Sequence, residues 1–205
     1  MGIEPRTSEI VLVCPTLDIL RGAQTLAEAK DTAGLDVGAL LISDYARRGG
    51  LVVSNVLWRA AMDWGARVAV FVNDDCSQFP DGWCKRLVDV LDSRPEIGVA
   101  VTGAPCHSTP QGKGKPGLPQ AVIELQHPAA WVVAAVKTDV FRAVGFMDEG
   151  YQHYCDDTDL EMRMREKGWR SVYVQDVWIN HAMGQTWGEW YDKDRARFKQ
   201  KWGKG

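Results

Sequence analysis

The hydrophobic positions of this chain fall into short apolar runs separated by more polar segments. Four runs of strand length lie in the first half of the chain: residues 10–14, 38–43, 68–72 and 97–102. Their apolar residues are largely consecutive rather than alternate, which is typical of strands buried on both faces. Pro15 follows the first run directly, and we expect it to end that strand because proline cannot donate a ladder hydrogen bond.

The segments between these runs have the composition or spacing of helices: residues 25–31, 54–64 and 82–94. In the last of these, Asp81 is the expected N-cap, and Trp83, Leu87 and Leu91 share one face. Strands and helices that alternate in this way predict an α/β fold with a mainly parallel central sheet.

Acidic side chains directly follow two of the predicted strands. Asp44 comes after the second strand, and Asn73, Asp74 and Asp75 come after the third. Ligands of parallel sheets bind beyond the carboxyl ends of the strands. Two adjacent carboxylates repel each other unless a cation lies between them, and Mg²⁺ or Mn²⁺ would satisfy them while also holding phosphate oxygens. The alternative is a turn with a solvated acidic pair, but the position of Asp44 favours a site.

Composition narrows the class of protein. The chain has 205 residues, 45% of them hydrophobic and 25% charged, as expected for one globular domain with a sizeable core. A net charge of −3 gives no general reason to expect a nucleic acid or an anionic membrane as partner. The first nine residues are mostly polar, so we expect no signal peptide, and no run reaches the about 18–20 apolar residues that a membrane span needs. Five irregularly spaced cysteines predict no disulfide framework, so a reducing cytoplasm is the expected location.

A second acidic cluster follows an aromatic-rich turn at residues 151–154. Asp156 or Asp157 could cap a helix whose apolar face includes Leu160 and Met164, and acidic residues suit the start of a helix. That role does not account for three carboxylates within four residues, which include Asp159, so one of them is a candidate general base.

His181 ends a strand-like segment that begins near residue 173. Alone it would be an ordinary polar surface residue. Beside carboxylates it is a candidate metal ligand, because neutral imidazole binds the same cations.

Taken in order, these motifs resemble glycosyltransferase family 2, whose members use nucleotide sugars and have a GT-A fold. The similar stretches are 11–16 (a strand and a Pro-Thr turn), 73–75 (the acidic "DxD" element), 141–149 (Phe-Arg-Ala-Val-Gly-Phe-Met-Asp-Glu, one glycine short of the family pattern), 156–160 (Asp-Asp-Thr-Asp-Leu, with Asp in place of the leading Glu) and 169–181 (an aromatic strand followed by histidine). The resemblance covers about residues 9–188 and implies a GT-A, Rossmann-like three-layer sandwich.

The resemblance also implies a donor site for a nucleoside-diphosphate sugar, with a UDP-sugar as the first expectation. Asp44 would contact the base, and Asp74 would lie near the ribose and the metal. Asp75 would bind the Mn²⁺ or Mg²⁺ that bridges the diphosphate, and His181 would complete the metal site or contact the diphosphate. The residues that would complete the donor site are Pro15, Thr16, Asp18 and Arg47. The segment after Asp44 departs from the family pattern, so contacts with the base and diphosphate are expected to differ.

On the acceptor side the resemblance implies that Asp157 is the catalytic base, with Asp156 and Asp159 orienting it or binding the acceptor and Trp131 stacking on a sugar. A single base and no nucleophile imply direct displacement and inversion at the anomeric carbon. The implied organisation is one GT-A domain over residues 1–205: a nucleotide-sugar half at 9–103, a flexible loop at 104–120, and an acceptor and base half at 121–205.

Other functions stay open at this stage. A GT-A protein that binds a nucleotide sugar without turning it over is one, and a sugar nucleotidyltransferase is another, although the usual glycine-rich basic loop after the first strand is absent. The acceptor hydroxyl could belong to a glycan, a small molecule, a protein or a hydroxymethylated base in DNA. Basic residues interleaved with aromatic ones at 187–204 suit nucleic acid, but an amphipathic helix that packs on the domain is favoured.

Overall fold

The computed structural model describes residues 8–46, 49–105, 115–182 and 189–203. Its helices are α1 (Ile19–Asp31), α2 (Gly50–Asp63), α3 (Trp83–Ser93), α4 (Thr138–Val144), α5 (Asp156–Glu166) and α6 (Glu189–Trp202). Its strands are β1 (Ile10–Thr16), β2 (Gly38–Ser43), β3 (Val68–Val72), β4 (Cys76–Ser77), β5 (Ile97–Gly103), β6 (Val122–Glu124), β7 (Val133–Lys137), β8 (Arg170–Trp178) and β9 (Asn180–His181).

The central sheet has seven strands in the order β2-β1-β3-β7-β5-β8-β6. Strands β1, β2, β3, β5 and β8 point in one direction, whereas β7 and β6 run antiparallel to their neighbours. The mainly parallel α/β sheet is therefore confirmed. Because β7 runs the other way, its first residues lie at the edge where β3 ends, and the amide of Asn73 donates to the carbonyl oxygen of Val132 (3.1 Å).

Helices cover both faces of the sheet, which gives the expected three layers. Alternate residues of each central strand enter different cores: Leu12 belongs to the core under α1 and α3, and Val13 belongs to the core under α2, α4 and α5. The shared face of α3 is confirmed, since Trp83, Leu87 and Leu91 are all buried. Burial on both faces explains why these strands are apolar at consecutive positions.

Strand β1 ends later, and helix α1 begins earlier, than the sequence predicted. Strand β1 continues through Pro15 to Thr16. Beyond Val13 it pairs only with β2, so the missing amide of Pro15 removes no hydrogen bond to β3. Helix α1 begins six residues earlier than expected, at Ile19, because the carboxylate of Asp18 accepts hydrogen bonds from the amides of residues 20 and 21.

The expected N-caps of two helices are wrong. Gly82, with a positive φ of 74°, occupies the N-cap of α3 in place of Asp81, and no side chain caps that end. Cys155, also at positive φ (65°), precedes α5, so Asp156 and Asp157 are the first helical residues rather than caps. Their carboxylates are therefore available for other partners.

The chain between β5 and β6 lies partly outside the described residues. Its described parts, 104–105 and 115–121, contain no helix or strand, and the flexible loop at 104–120 stays a prediction. None of the described helices combines the length and apolar character that a membrane crossing requires.

Candidate functional site

One cavity of about 620 Å³ opens at the edge of the sheet where the parallel strands end. It is lined by residues that follow β1, β2 and β3, by the segment before β7, and by the turn that leads into α5. Among the predicted site residues it includes Pro15, Thr16, Asp44, Asp74, Asp75, Trp131, Asp156, Asp157 and His181. The fold therefore brings both acidic clusters into one cavity.

Asp74 is held by the first strand and the first helix. Its Oδ2 accepts a hydrogen bond from the Thr16 hydroxyl and one from Nη2 of Arg21 (2.8 Å). The backbone carbonyl of Asp74 accepts from the Thr25 hydroxyl (2.8 Å). With Oδ2 already paired to a guanidinium, Asp74 is the weaker of the two adjacent acids as a metal ligand.

Asp75 lies beside His181 because two short strands pair across a long stretch of chain. Strand β4 runs antiparallel to β9 with Cys76 opposite His181, and the amide of Ala182 donates to the carbonyl oxygen of Asp75 (3.1 Å). This pairing places Nε2 of His181 3.1 Å from Oδ1 of Asp75. The predicted pair of metal ligands is therefore brought together.

The hydrogen bonds of His181 orient its ring for cation binding. Nδ1 lies 3.0 Å from the carbonyl oxygen of Pro105, which can only accept, so Nδ1 carries a hydrogen. Nε2 then faces the Asp75 carboxylate, either with a second proton or with a lone pair for a cation. Burial favours the neutral ring, but hydrogen bonds to Asp75 and Pro105 outweigh it and raise the pKa of His181. Burial opposes ionisation of Asp75 as well, but His181 lowers the pKa of that carboxyl.

A divalent cation fits this donor set. Carboxylate oxygen and imidazole nitrogen both bind Mn²⁺, and Mg²⁺ is commonly held by one or two carboxylates together with substrate phosphates. Among the described residues, no group of three or more His, Cys, Asp and Glu side chains is arranged around a common point. Asp75 and His181 would thus supply the protein ligands, and oxygens of the substrate and of water the rest.

Asp44 is buried at the end of β2, at 5% exposure. Its Oδ2 accepts a hydrogen bond from the amide of Gly49 (2.8 Å), and its own amide donates to the carbonyl oxygen of Thr16 (2.7 Å). The Gly49 amide therefore orients the Asp44 carboxylate at this end of the cavity.

Asp156 and Asp157 form another part of the cavity wall, at the start of α5. Oδ2 of Asp157 accepts from the backbone amide of Trp131 (3.0 Å), and Oδ1 accepts from the amide and hydroxyl of Thr158. Burial and repulsion from Asp157 raise the pKa of Asp156 well above its usual value. Burial also raises the pKa of Asp157, against the hydrogen bonds from Trp131 and Thr158. Raised carboxyl pKa values suit a general base near neutral pH.

Glu161, one turn further along α5, supports this wall from behind. It is fully buried; Oε1 accepts from the indole nitrogen of Trp131 (2.8 Å) and the amide of Ala129 (3.1 Å), and Oε2 accepts from the Ser171 hydroxyl (2.6 Å). Trp131 is itself only 6% exposed, so its ring forms cavity wall while its backbone amide holds Asp157.

Two of the described site residues that were predicted, Asp18 and Asp159, do not line the cavity. Asp18 caps α1. Asp159 is fully buried behind the wall, where it forms ion pairs with Arg163 (2.9 Å) and Lys201 (2.7 Å). Arg47 lies outside the described residues.

Sequence reasoning missed several residues that shape the cavity. Arg21 reaches it from the first turn of α1, and Gln152, His153 and Tyr154 line it near the start of α5. Asp194 of α6 is 2% exposed and contacts that same turn. The only local signal for Arg21 was its place one turn after a strand end, and nothing local signalled Asp194.

Comparisons with known proteins identify the type of fold. No protein-family model and no curated protein matches this sequence. Solved structures do match: GalNAc-T7 with UDP, GalNAc and Mn²⁺ (11% identity, TM-score 0.66, 94% of this chain and 48% of that one) and the mannosyltransferase PcManGT from Pyrobaculum calidifontis with GDP-Man and Mn²⁺ (15%, 0.64, 96% and 65%). S. aureus TarS 1-349 also matches (12%, 0.54, 85% and 60%). This chain has the GT-A fold.

The similarity shows fold and not activity, because the identities are 11–15%. The chain spans 48–65% of the length of these structures. The expected GT-A architecture is thus confirmed, whereas membership of family 2 stays a prediction that rests on the motifs.

Proposed function

We propose that this protein is a metal-dependent glycosyltransferase that moves a sugar from a nucleoside-diphosphate sugar to an acceptor hydroxyl. One observation carries the proposal. A single cavity at the carboxyl edge of a GT-A sheet is lined by both the Asp75–His181 pair and the Asp156–Asp157 pair. The first pair suits a cation-bound diphosphate and the second suits proton removal from a hydroxyl.

The donor side would bind the nucleotide. Asp44, fixed by the Gly49 amide, would accept from the base, and Asp74 would accept from the ribose while Thr16 and Arg21 hold its carboxylate. Arg21 is half-exposed at the cavity and would also attract the diphosphate. A cation held by Asp75 and His181 would stabilise the negative charge that gathers on the departing nucleoside diphosphate.

On the acceptor side Asp157 would take the proton of the attacking hydroxyl. The Trp131 amide and Thr158 orient its carboxylate, and burial raises the pKa of Asp157, which favours uptake of the proton. The hydroxyl oxygen then bonds to the anomeric carbon as the bond to the diphosphate breaks on the opposite side. Because the proposed reaction uses Asp157 as a base and forms no covalent sugar intermediate, this direct displacement would invert the anomeric centre.

Neighbouring structures bear on the choice of donor. GalNAc-T7 was solved with UDP, GalNAc and Mn²⁺, and PcManGT with GDP-Man and Mn²⁺. A UDP-sugar is our first choice and a GDP-sugar the second. The acceptor class stays open, and a DNA base remains the minority candidate: Arg197 and Lys201 of the basic helix α6 pair internally with Asp148.

A thermal-shift screen tests the proposal. UDP- and GDP-sugars, each at about 100 times its Kd, should add about 2.7 kcal/mol to the free energy of unfolding when Mn²⁺ is present. For a chain of this length that corresponds to a Tm rise of roughly 5–10 °C. Stabilisation without Mn²⁺ should be much smaller, since the diphosphate would then face Asp74 and Asp75 directly.

A matched pair of variants locates the effect. Asp75→Asn should remove the Mn²⁺-dependent rise, whereas Asp63→Asn, at an exposed position at the end of α2, should keep it. Binding that is stable but never followed by release of nucleoside diphosphate would favour a non-catalytic protein. Formation of a nucleotide sugar from a nucleoside triphosphate would favour a nucleotidyltransferase. No shift with any nucleotide would refute the donor site.

A further inference from the structure

The C-terminal helix α6 packs on the turn that forms the acceptor side of the cavity. Its residue Asp194 is 2% exposed, although carboxylates are rarely buried without partners. The Asp194 oxygens accept hydrogen bonds from three successive backbone amides, those of Gln152 (3.0 Å), His153 (2.8 Å) and Tyr154 (2.8 Å). These three residues line the cavity.

The turn held in this way leads directly to the proposed base. Cys155 follows it with a positive φ of 65°, a conformation that side chains rarely adopt, and Asp156 and Asp157 come next. Residues 152–154 belong to no helix or strand. Side-chain hydrogen bonds must therefore satisfy their amides, and one buried carboxylate does so for all three.

Further contacts hold α6 in the same place. Arg197 and Lys201 form ion pairs with Asp148 at 2.9 and 3.0 Å, just before the turn. The guanidinium of Arg197 lies against Gly150, where any β-carbon would meet it at 2.2 Å. Contacts on both sides of residues 150–154 thus align α6 with the turn, whereas the donor side of the cavity is built by other elements.

We propose that Asp194 is a positioning residue for sugar transfer: it holds the 152–154 turn so that the acceptor wall and the Asp156–Asp157 pair keep their orientation. The inference rests on the proposed glycosyltransferase function. Asp194 touches neither donor nor acceptor and acts through the turn. Its loss should leave nucleotide binding intact and slow the reaction, because Asp44, Asp74 and Asp75 do not depend on α6.

Three measurements on the full chain test this role. In Asp194→Asn the side-chain nitrogen would face amide donors, so hydrogen exchange at residues 152–154 should accelerate by about tenfold or more. Release of UDP or GDP from the sugar nucleotide chosen by the thermal-shift screen, with water as the acceptor, should fall about 100-fold in kcat. The Kd for UDP or GDP with Mn²⁺ should change less than about threefold. Asp192→Asn removes the same charge from an exposed position on α6 and is the control.

Asp194→Glu is the second variant, in case the asparagine variant does not fold. It keeps the charge but moves the oxygens by one methylene, and an intermediate loss of kcat is expected. Three results for Asp194→Asn would overturn the proposal. They are unchanged hydrogen exchange at residues 152–154, faster exchange with an unchanged kcat, and a loss of nucleotide affinity as large as the loss of kcat. Failure of the underlying function is seen separately, in the wild type: a protein that binds neither nucleotide, or releases none from its sugar, overturns both proposals before any variant is compared.

Discussion

The carboxyl group of Glu161 should make the free energy of unfolding depend on pH. Its carboxyl is fully buried, and burial raises its pKa to about 7, against hydrogen bonds from Ser171, Trp131 and Ala129 that favour the ionised form. In the unfolded chain the same group titrates near 4.5. The nearest positive charge, Nη2 of Arg165, is 3.6 Å from Oε2.

The direction follows from proton linkage. Between pH 4.5 and 7 the folded protein keeps a proton that the unfolded chain releases, so stability falls as the pH rises through this window. The contribution is complete below 4.5 and lost above 7. At about 1.36 kcal/mol for each pKa unit, a change from 4.5 to about 7 amounts to about 3 kcal/mol. Glutamine has the same shape, accepts from Trp131 and does not titrate.

We therefore expect Glu161→Gln to gain about 3 kcal/mol in free energy of unfolding relative to wild type between pH 4.5 and 7.5. Urea unfolding followed by tryptophan fluorescence at four pH values measures this difference, in which groups common to both proteins cancel. Glu166→Gln, on the exposed side of the same helix, should run parallel to wild type. A constant difference between Glu161→Gln and wild type across the range would refute the reasoning.

Three further predictions concern charged side chains. Asp75→Asn should weaken binding of UDP or GDP with Mn²⁺ by at least about 100-fold, because loss of even a residue that only supports a metal ligand lowers metal affinity or activity by about 10–100-fold. Calorimetry measures this affinity, and retained affinity would contradict the metal assignment. Asp157→Asn should lower kcat for nucleotide release by about 10²–10⁴-fold with normal nucleotide affinity; full activity would exclude Asp157 as the base. Burial opposes ionisation of Asp148, but hydrogen bonds from Gly150, Lys201 and Arg197 lower its pKa to about 2. The wild type should therefore lose stability as the pH falls from 3.8 through 2, and Asp148→Asn should lose less over the same range. Equal acid unfolding of the two proteins would contradict that coupling.

The strands could be predicted because both faces of the sheet are covered. Consecutive apolar residues at 38–43 and 68–72 gave strands with the bounds that the structure shows, β2 and β3. The acidic residues after them were recognised for the same reason, since a carboxylate that ends an apolar strand has few places to lie except the sheet edge. Helix starts were harder, because α1 begins directly after the cap Asp18 and its first turn contains Gly22, a poor helix former.

The functional pairings span distances that no local pattern can encode. His181 reaches Asp75 only because β9 pairs with β4 in one register. The family resemblance suggested the pair, but the register depends on how β8 packs in the sheet. A one-residue shift of β9 would turn the His181 side chain to the opposite face.

The sequence by itself determined the alternating layers, the sheet edge at which a ligand would bind, and most of the acidic side chains there. Those features follow from local periodicity and from which residues can be buried. The tertiary structure alone decided that Asp159 lies behind the cavity wall, that Glu161 accepts a hydrogen bond from Trp131, and that Asp194 holds the 152–154 turn. A buried carboxylate is stable only where distant donors converge on it, and that convergence exists only once the whole chain has packed.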